Sequence, residues 1–254
     1  MTARFLHDSR ALLGRSLRHV GRSPDTIITT AVMPIAFLLL FVYVLGGAID
    51  TGTASYVSYL LPGILVITVA SGISYTAYRL FLDLRSGMIE RLRSMPVSRA
   101  AVLWAHVLTS LVANAISLAV VVGVALLMGF RSSVGPLAWL GVAGILLLLT
   151  TALTWLAVIP GLTASSVDGA SAFSYPLILL PFVSSAFVPT ATMPGPVRAF
   201  AEHQPVTAIV DAIRALFAGQ PVGSDLWVAL AWCAGILAVA YALAIRLYRT
   251  TLVS

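Results

Sequence analysis

The sequence predicts an all-α integral membrane protein with six transmembrane helices, and three observations lead there. The first is composition: 59% of the 254 residues are hydrophobic and 9% are charged, with a mean hydropathy of +1.00, whereas soluble domains are about 45–50% apolar and about 25% charged. The second is that the apolar residues gather into six runs, each near the ~20 residues that span ~30 Å of hydrocarbon as a helix. The third is that the arginines collect between alternate runs, as they do when one set of loops faces the cytoplasm.

Residues 1–25 precede the first run. Phe5, Leu6, Leu12, Leu13, Leu17 and Val20 recur at near-helical spacing among Arg4, Arg10, Arg15, Arg18 and Arg22. This reads as an amphipathic helix lying in the membrane interface; the alternative is a mobile basic tail. A cleavable signal peptide would place about 7–15 apolar residues close to the start, and the mixed, charged opening does not match that pattern. Pro24 breaks the chain before it enters the bilayer.

The runs are Thr26–Ala48, Tyr56–Tyr78, Val102–Met128, Leu137–Ile159, Ala170–Thr190 and Leu226–Ile245. Pro34 falls in the first, Pro62 in the second, and Pro176 and Pro181 in the fifth. Neighbours in a membrane bundle can satisfy the carbonyls that proline frees, but two prolines make the fifth run irregular and prone to break. No internal repeat is evident. Six crossings leave both termini on one side, with Arg4, Arg10, Arg15, Arg18, Arg22, Arg79, Arg85, Arg91, Arg93, Arg99, Arg246 and Arg249. The other side holds Arg131, Arg198 and Arg214. Twelve against three places both termini in the cytoplasm, and this placement argues for a membrane surface rather than nucleic acid as the basic partner.

Between the fifth and sixth runs, "MPGP" (Met193–Pro196) is a turn signal. Val206, Ile209, Val210, Ile213, Leu216 and Phe217 then share one helical face, and Gly219 is a natural stop. Asp211 and Arg214, three apart, can pair. A helix this apolar outside the bilayer must dip into the interface or pack on the bundle. Plain packing and an extracellular gate are both open, with Pro194, Phe200, Asp211, Arg214 and Phe217 as the gate residues in the second case.

Chemistry of the chain's own is hard to find. All fifteen basic residues are Arg, so there is no P-loop lysine for a phosphate and no Schiff-base lysine. Cys233 is the only cysteine and lies in an apolar run, which excludes an intrachain disulfide and fits a buried, inert thiol. The acids Asp50, Asp83, Asp168, Glu202, Asp211 and Asp225 fall in loops or at helix ends, so no midplane proton relay is visible. His106, near the start of the third run, reads as an interfacial histidine. Sodium coupling stays open, because carbonyls of broken helices can hold Na⁺. "GISY" (Gly72–Tyr75) resembles an intramembrane serine-protease motif, but no histidine base lies within the fourth to sixth runs. No catalytic residue and no metal site are predicted.

A chain without an energy source of its own needs a docking surface, and "SGMIERLRSMPVSR" (Ser86–Arg99) offers one. As a short helix, Met88, Ile89, Leu92 and Met95 form an apolar ridge flanked by Glu90, Arg91 and Arg93; Pro96 ends it and Ser98 caps the next helix. An apolar ridge edged by charge fits a groove on another protein; a helix held by lipid phosphates is the alternative.

"GMIERLRSMPVSRAAVLWAHVL" (Gly87–Leu108) resembles the cytoplasmic loop of the type-2 ABC exporter permeases, particularly the daunorubicin-resistance type. "LPFVSSAFVPTATMPGPVRAFAEHQPVTAIVDAIRALFAG" (Leu180–Gly219) resembles that family's segment before the last crossing. The likeness covers nearly the whole chain, and the order and spacing of the motifs carry it. One departure is Gln204, where members often have an asparagine before the proline; it suggests no consequence for function.

The resemblance implies two domains of use: an elbow helix over 1–25 and a permease domain over 26–254. It implies a homodimer or sibling heterodimer of permeases in the bacterial cytoplasmic membrane, driven by a separate cytoplasmic ABC ATPase that binds ATP and Mg. Met88, Glu90, Arg91, Leu92, Arg93 and Met95 would then lie in the coupling helix between helices 2 and 3, and short re-entrant or extracellular helices would lie between helices 5 and 6. Export of a drug or lipid is the activity expected. Phe37, Phe41, Thr68, Ser71, Tyr75 and Asn114, with Tyr43 and Tyr78 nearby, are residues suited to an amphipathic cargo; the aromatics equally suit bilayer anchoring. An ion-coupled carrier and a non-transporting membrane anchor or sensor are the competing readings.

Overall fold

The computed structural model describes residues 24–46, 55–86 and 99–251, which form helices joined by turns, with no strand among the described residues. The amphipathic leader and the segment holding Met88, Glu90, Arg91, Leu92, Arg93 and Met95 lie outside the described residues. In chain order the helices are α1 (Pro24–Leu39), continued by a π-helical turn (Leu40–Leu45), α2 (Tyr56–Arg85), α3 (Arg99–Leu127), α4 (Pro136–Thr163), α5 (Val167–Ala172), α6 (Ser174–Leu179), α7 (Gly195–His203), α8 (Pro205–Ala218) and α9 (Asp225–Thr251). Short 3₁₀ turns follow at Leu180–Val183, after α6, and at Thr190–Thr192, before α7.

Four helices, α2, α3, α4 and α9, are long and apolar enough to cross a membrane. The apolar helices in the first and fifth positions are shorter, Thr30–Leu45 and Val167–Val183. The fifth run is therefore not one continuous helix. Pro176 and Pro181 cannot donate to the carbonyls one turn back, so the α-ladder loses two links within six residues. The chain passes from α5 through α6 into the 3₁₀ turn and becomes extended at Ser184.

Three helices outrun the ends of their apolar runs, α9 among them, which continues past Ile245 to Thr251. α2 continues seven residues past Tyr78, through Arg79, Asp83 and Arg85, because backbone hydrogen bonding does not stop where hydropathy does. α4 continues through Pro160 to Thr163. The far end of α8 is closed as its sequence indicates: Gly219 takes a left-handed φ of 66°, and Gln220 N–H reaches back to Ala215 O at 2.9 Å.

α2 is the central post. It packs against α1, α3, α4, α5, α6 and α8, and 83% of its most apolar window is buried, against 22% for α9. Every residue from Tyr59 to Ala70 is buried. One core surrounds this stretch and runs out to Val206, Ile209, Val210 and Ile213 of α8. A second core, built on Leu80, Leu103, Val107, Trp155 and Val158, lies toward the end of α2 that leads into residues 87–98. α9 lies along α4 and α8; Trp227, Trp232 and Val239 point outward from it, as a lipid-facing surface would.

Candidate functional site

Polar contacts concentrate at three levels along α2. At the end away from 87–98, α8 presents Arg214 to the start of α2. Its Nη2 donates to Ser185 O at 2.8 Å and Tyr59 O at 3.3 Å, and its guanidinium lies 3.9 Å from the Tyr59 ring centroid. Arg214 Nη1 also pairs with Asp211, while the Ser185 hydroxyl donates to Asp211 Oδ1 at 2.8 Å. Tyr59 Oη closes the circuit by donating to Ser185 O at 3.0 Å. Three segments are thereby joined: α2, α8 and the extended chain after the broken fifth run. α8 is not among the four helices long and apolar enough to cross a membrane, and burial pushes the Asp211 carboxyl up from its ordinary value despite the opposing pull of Arg214 and Ser185.

Gln204 is the residue that sequence reasoning missed here. Its side chain is buried, and Nε2 donates to Val183 O at 2.8 Å and Leu180 O at 3.3 Å. These carbonyls lie in the turn that the proline-broken run leaves without a regular ladder. The sequence offered Gln204 only as a departure without consequence for function; its part here is structural, supplying donors where the backbone cannot. The signal was the pair of prolines upstream, which calls for a side-chain donor nearby.

The remaining gate residues separate. Pro194 immediately precedes α7, and Phe200 is exposed on it. Phe217 is buried in a ring cluster with Phe130 at 5.2 Å and Trp139 at 5.0 Å, which packs α8 onto the α3–α4 connection.

At the middle level, Thr76 Oγ1 donates to Ser110 Oγ at 2.7 Å, and Ser110 lies 3.3 Å from Thr154 Oγ1. One hydroxyl string thus crosses α2, α3 and α4. Asn114 Nδ2 donates to Ser110 O at 3.0 Å, which turns its carbonyl oxygen onto Gly72. A Cβ at position 72 would overlap the Asn114 carboxamide, so glycine is what lets α2 and α3 approach there.

The six cargo-path residues fall in three places. Phe37 and Phe41 meet through Phe182 and Phe187, with Phe37–Phe182 at 5.4 Å and Phe41–Phe187 at 4.6 Å. Thr68 and Asn114 are buried, and Thr68 is turned onto its own helix at Ile64 O. Ser71 and Tyr75 lie on a partly exposed stripe of α2. Ser74, the serine of the protease-like motif, bonds the Ser171 backbone at 3.4 Å rather than a histidine.

At the third level, nearest 87–98, His106 Nε2 lies 3.2 Å from Asp83 Oδ2 and links α3 to α2. Arg85 donates to Ser165 O at 3.2 Å and so ties the end of α2 to the α4–α5 turn. His106 therefore belongs to an interhelical pair, which its sequence position alone did not reveal.

Residues 8–218 match the ABC-2 type transporter family. The chain belongs to that family. It is 32% identical over 241 residues to the daunorubicin resistance ABC transporter permease protein DrrB1 of Streptomyces coeruleorubidus, covering 93% of this chain and 84% of that one. It is 29% identical over 239 residues to the probable doxorubicin resistance ABC transporter permease protein DrrC of Mycobacterium tuberculosis, covering 92% and 86%. A putative transport permease of Porphyra purpurea, ycf38, is 26% identical over 84% of this chain. Membership in the ABC-2 type transporters makes the chain a multi-pass membrane permease subunit. It also decides against the ion-coupled carrier and the non-transporting anchor.

Proposed function

We propose that this chain is the permease subunit of an ATP-driven exporter that moves a hydrophobic or amphipathic molecule, a drug or lipid, out of the cytoplasm or the inner leaflet. The observation that carries the reading is the match to named drug-resistance permeases along almost the whole chain. Six crossings place both termini and residues 86–99 in the cytoplasm of a bacterial cell, where a separate ABC ATPase holds ATP and Mg. Glu90, Arg91 and Arg93, flanked by Met88, Leu92 and Met95, form the surface that enters the ATPase. A second permease, identical or a sibling, completes the channel.

The arrangement of the described helices supports a transmission path. α2 and α3 flank 87–98, and α2 alone runs from there to the Arg214 cluster. At about 1.5 Å per residue its 30 residues span about 45 Å. The Tyr59–Ser185–Asp211–Arg214 cluster is then the extracellular gate, closed when Arg214 bridges α8 to α2.

Copurification tests the reading. The wild-type chain in detergent should retain an ATPase subunit, and Arg91→Glu or Arg93→Glu should reduce that retention and transport-linked ATP hydrolysis at least tenfold while leaving membrane insertion intact. Unchanged hydrolysis in reconstituted liposomes would remove these residues from the coupling surface. Failure of the wild-type chain to bring down any ATPase would remove the exporter reading itself.

A further inference from the structure

We propose that Arg79 and Tyr75 form a binding site for the phosphate headgroup of an anionic phospholipid in the leaflet nearest residues 87–98. Toward its far end α2 is buried without interruption from Tyr59 to Ala70. Beyond that it opens one stripe: Ser71, Tyr75, Tyr78, Arg79 and Leu82 are all at least partly exposed, and their spacing puts them on a single helical face. A stripe that met only acyl chains would be aliphatic. This one carries two phenols and a guanidinium.

The donors and acceptors do not balance. Arg79 Nη1 donates to Tyr75 Oη at 3.2 Å, and the guanidinium lies 5.7 Å from the Tyr75 ring centroid. Because the phenol oxygen accepts from Arg79, its own O–H is left to donate. Arg79 brings further N–H donors and has no acceptor to offer. Among the described residues no carboxylate pairs with it: Asp83, one turn on, is engaged with His106 at 3.2 Å, and the other ion pairs are Arg198–Glu202 and Arg214–Asp211. A donor-rich, positively charged site wants an anion with several acceptor oxygens, and arginine meets phosphate through two parallel bonds.

Depth selects the source. Arg79 lies six residues from the end of α2, about 9 Å at ~1.5 Å per residue, which is where an arginine stem can lie along apolar surface and lift its head to the lipid phosphates. The neighbouring Tyr75 and Tyr78 rings, 6.1 Å apart, provide the amphipathic collar found at such depths. That this leaflet is the inner one rests on the orientation proposed above; the site itself does not, and it needs neither ATPase nor transport.

The test is lipid retention by the full-length protein, reconstituted with equal phosphatidylglycerol and phosphatidylcholine and measured by native mass spectrometry. Wild type should keep phosphatidylglycerol over phosphatidylcholine by at least threefold. Arg79→Gln should bring that ratio to one, Arg79→Lys should keep part of it, and Tyr75→Phe should lower it. Arg198→Gln, remote on α7, should leave it unchanged. Should Arg79→Gln fail to fold in phosphatidylcholine alone, the Lys and Phe variants carry the test. A phosphatidylglycerol preference undiminished in these variants overturns the proposal. So does a preference that appears only once Glu90→Gln is introduced, since Glu90 would then be the native partner of Arg79.

Discussion

Arg214→Gln is the substitution that the far-end cluster makes most informative. The change removes three charge-assisted hydrogen bonds to the carbonyls of Tyr59 and Ser185, a guanidinium–ring contact at 3.9 Å, and the charge facing Asp211. Breaking a fully buried pair from one side costs about 3–5 kcal/mol, whereas an exposed pair is worth about 0–1 kcal/mol. The two side chains are 22% and 32% exposed, so the ion-pair loss falls between these limits, about 2 kcal/mol. The lost ring contact adds about 0.5–1 kcal/mol. The total is about 3 kcal/mol. Asp211→Asn should cost less, about 1 kcal/mol, because the Arg214 charge it leaves behind keeps its carbonyl acceptors and the Tyr59 ring. The double variant should recover about 1–2 kcal/mol of the summed cost.

The same residues set a pH dependence. Asp211 has a folded-state pKa raised by burial. Its contribution is therefore full below the ordinary carboxylate range and is lost as pH rises through the raised value. Removing Arg214 raises that value further, so the deficit of Arg214→Gln should be largest at neutral pH and shrink on acidification, when the carboxyl is neutral. Thermal unfolding in lipid nanodiscs at several pH values measures all of this. Equal costs for the two single variants, no coupling between them, or a pH-independent deficit would refute the argument.

Two other substitutions follow from the same contacts. Gly72→Ala should destabilise by about 1–3 kcal/mol through overlap with the Asn114 carboxamide, and Asn114→Ser should relieve that overlap, so unfolding of the double variant should show a cost smaller than the sum. Gln204→Leu keeps the bulk but leaves the carbonyls of Leu180 and Val183 without their side-chain donor; the expected loss is about 1–3 kcal/mol, with faster amide exchange confined to residues around 180–187 as the local readout.

What the sequence made legible was local. The break in the fifth run follows from Pro176 and Pro181, the end of α8 from Gly219, and the Asp211–Arg214 pair from a separation of three on one helix. These are properties of residues a few positions apart. What it hid was long-range. Tyr59 and Arg214 are 155 positions apart, and Ser74 and Ser171 are 97 apart; no periodicity within one helix selects such partners. Hydropathy also misled in a consistent way. It ended α2 at Tyr78, where the apolar residues thin out, although the helix runs to Arg85. The residues beyond that limit are those that reach for His106 and Ser165. Thr68 and Asn114 read as polar points from residue type, which does not give burial, and both are enclosed by neighbouring helices.

The long-range contacts give the bundle a mechanical order. α2 and α3 are joined at three depths: Asp83 to His106, Thr76 to Ser110, and Gly72 against Asn114. Ser110 extends the middle tie to Thr154 of α4. A force on residues 87–98 that displaces either α2 or α3 must therefore displace both or break buried polar contacts, and a close-packed interior resists gradual deformation. At the far end the restraint changes character. There α2 meets α8 through Arg214, a side chain that is partly exposed and holds its partners by charge-assisted bonds to two carbonyls. Water can replace those bonds more cheaply than it can the enclosed Thr76–Ser110 tie, and it reaches the partly exposed Asp83–His106 pair as well. The middle tie is thus the most enclosed polar link along α2, and a displacement carried along the helix should part the partly exposed contacts at either end before it.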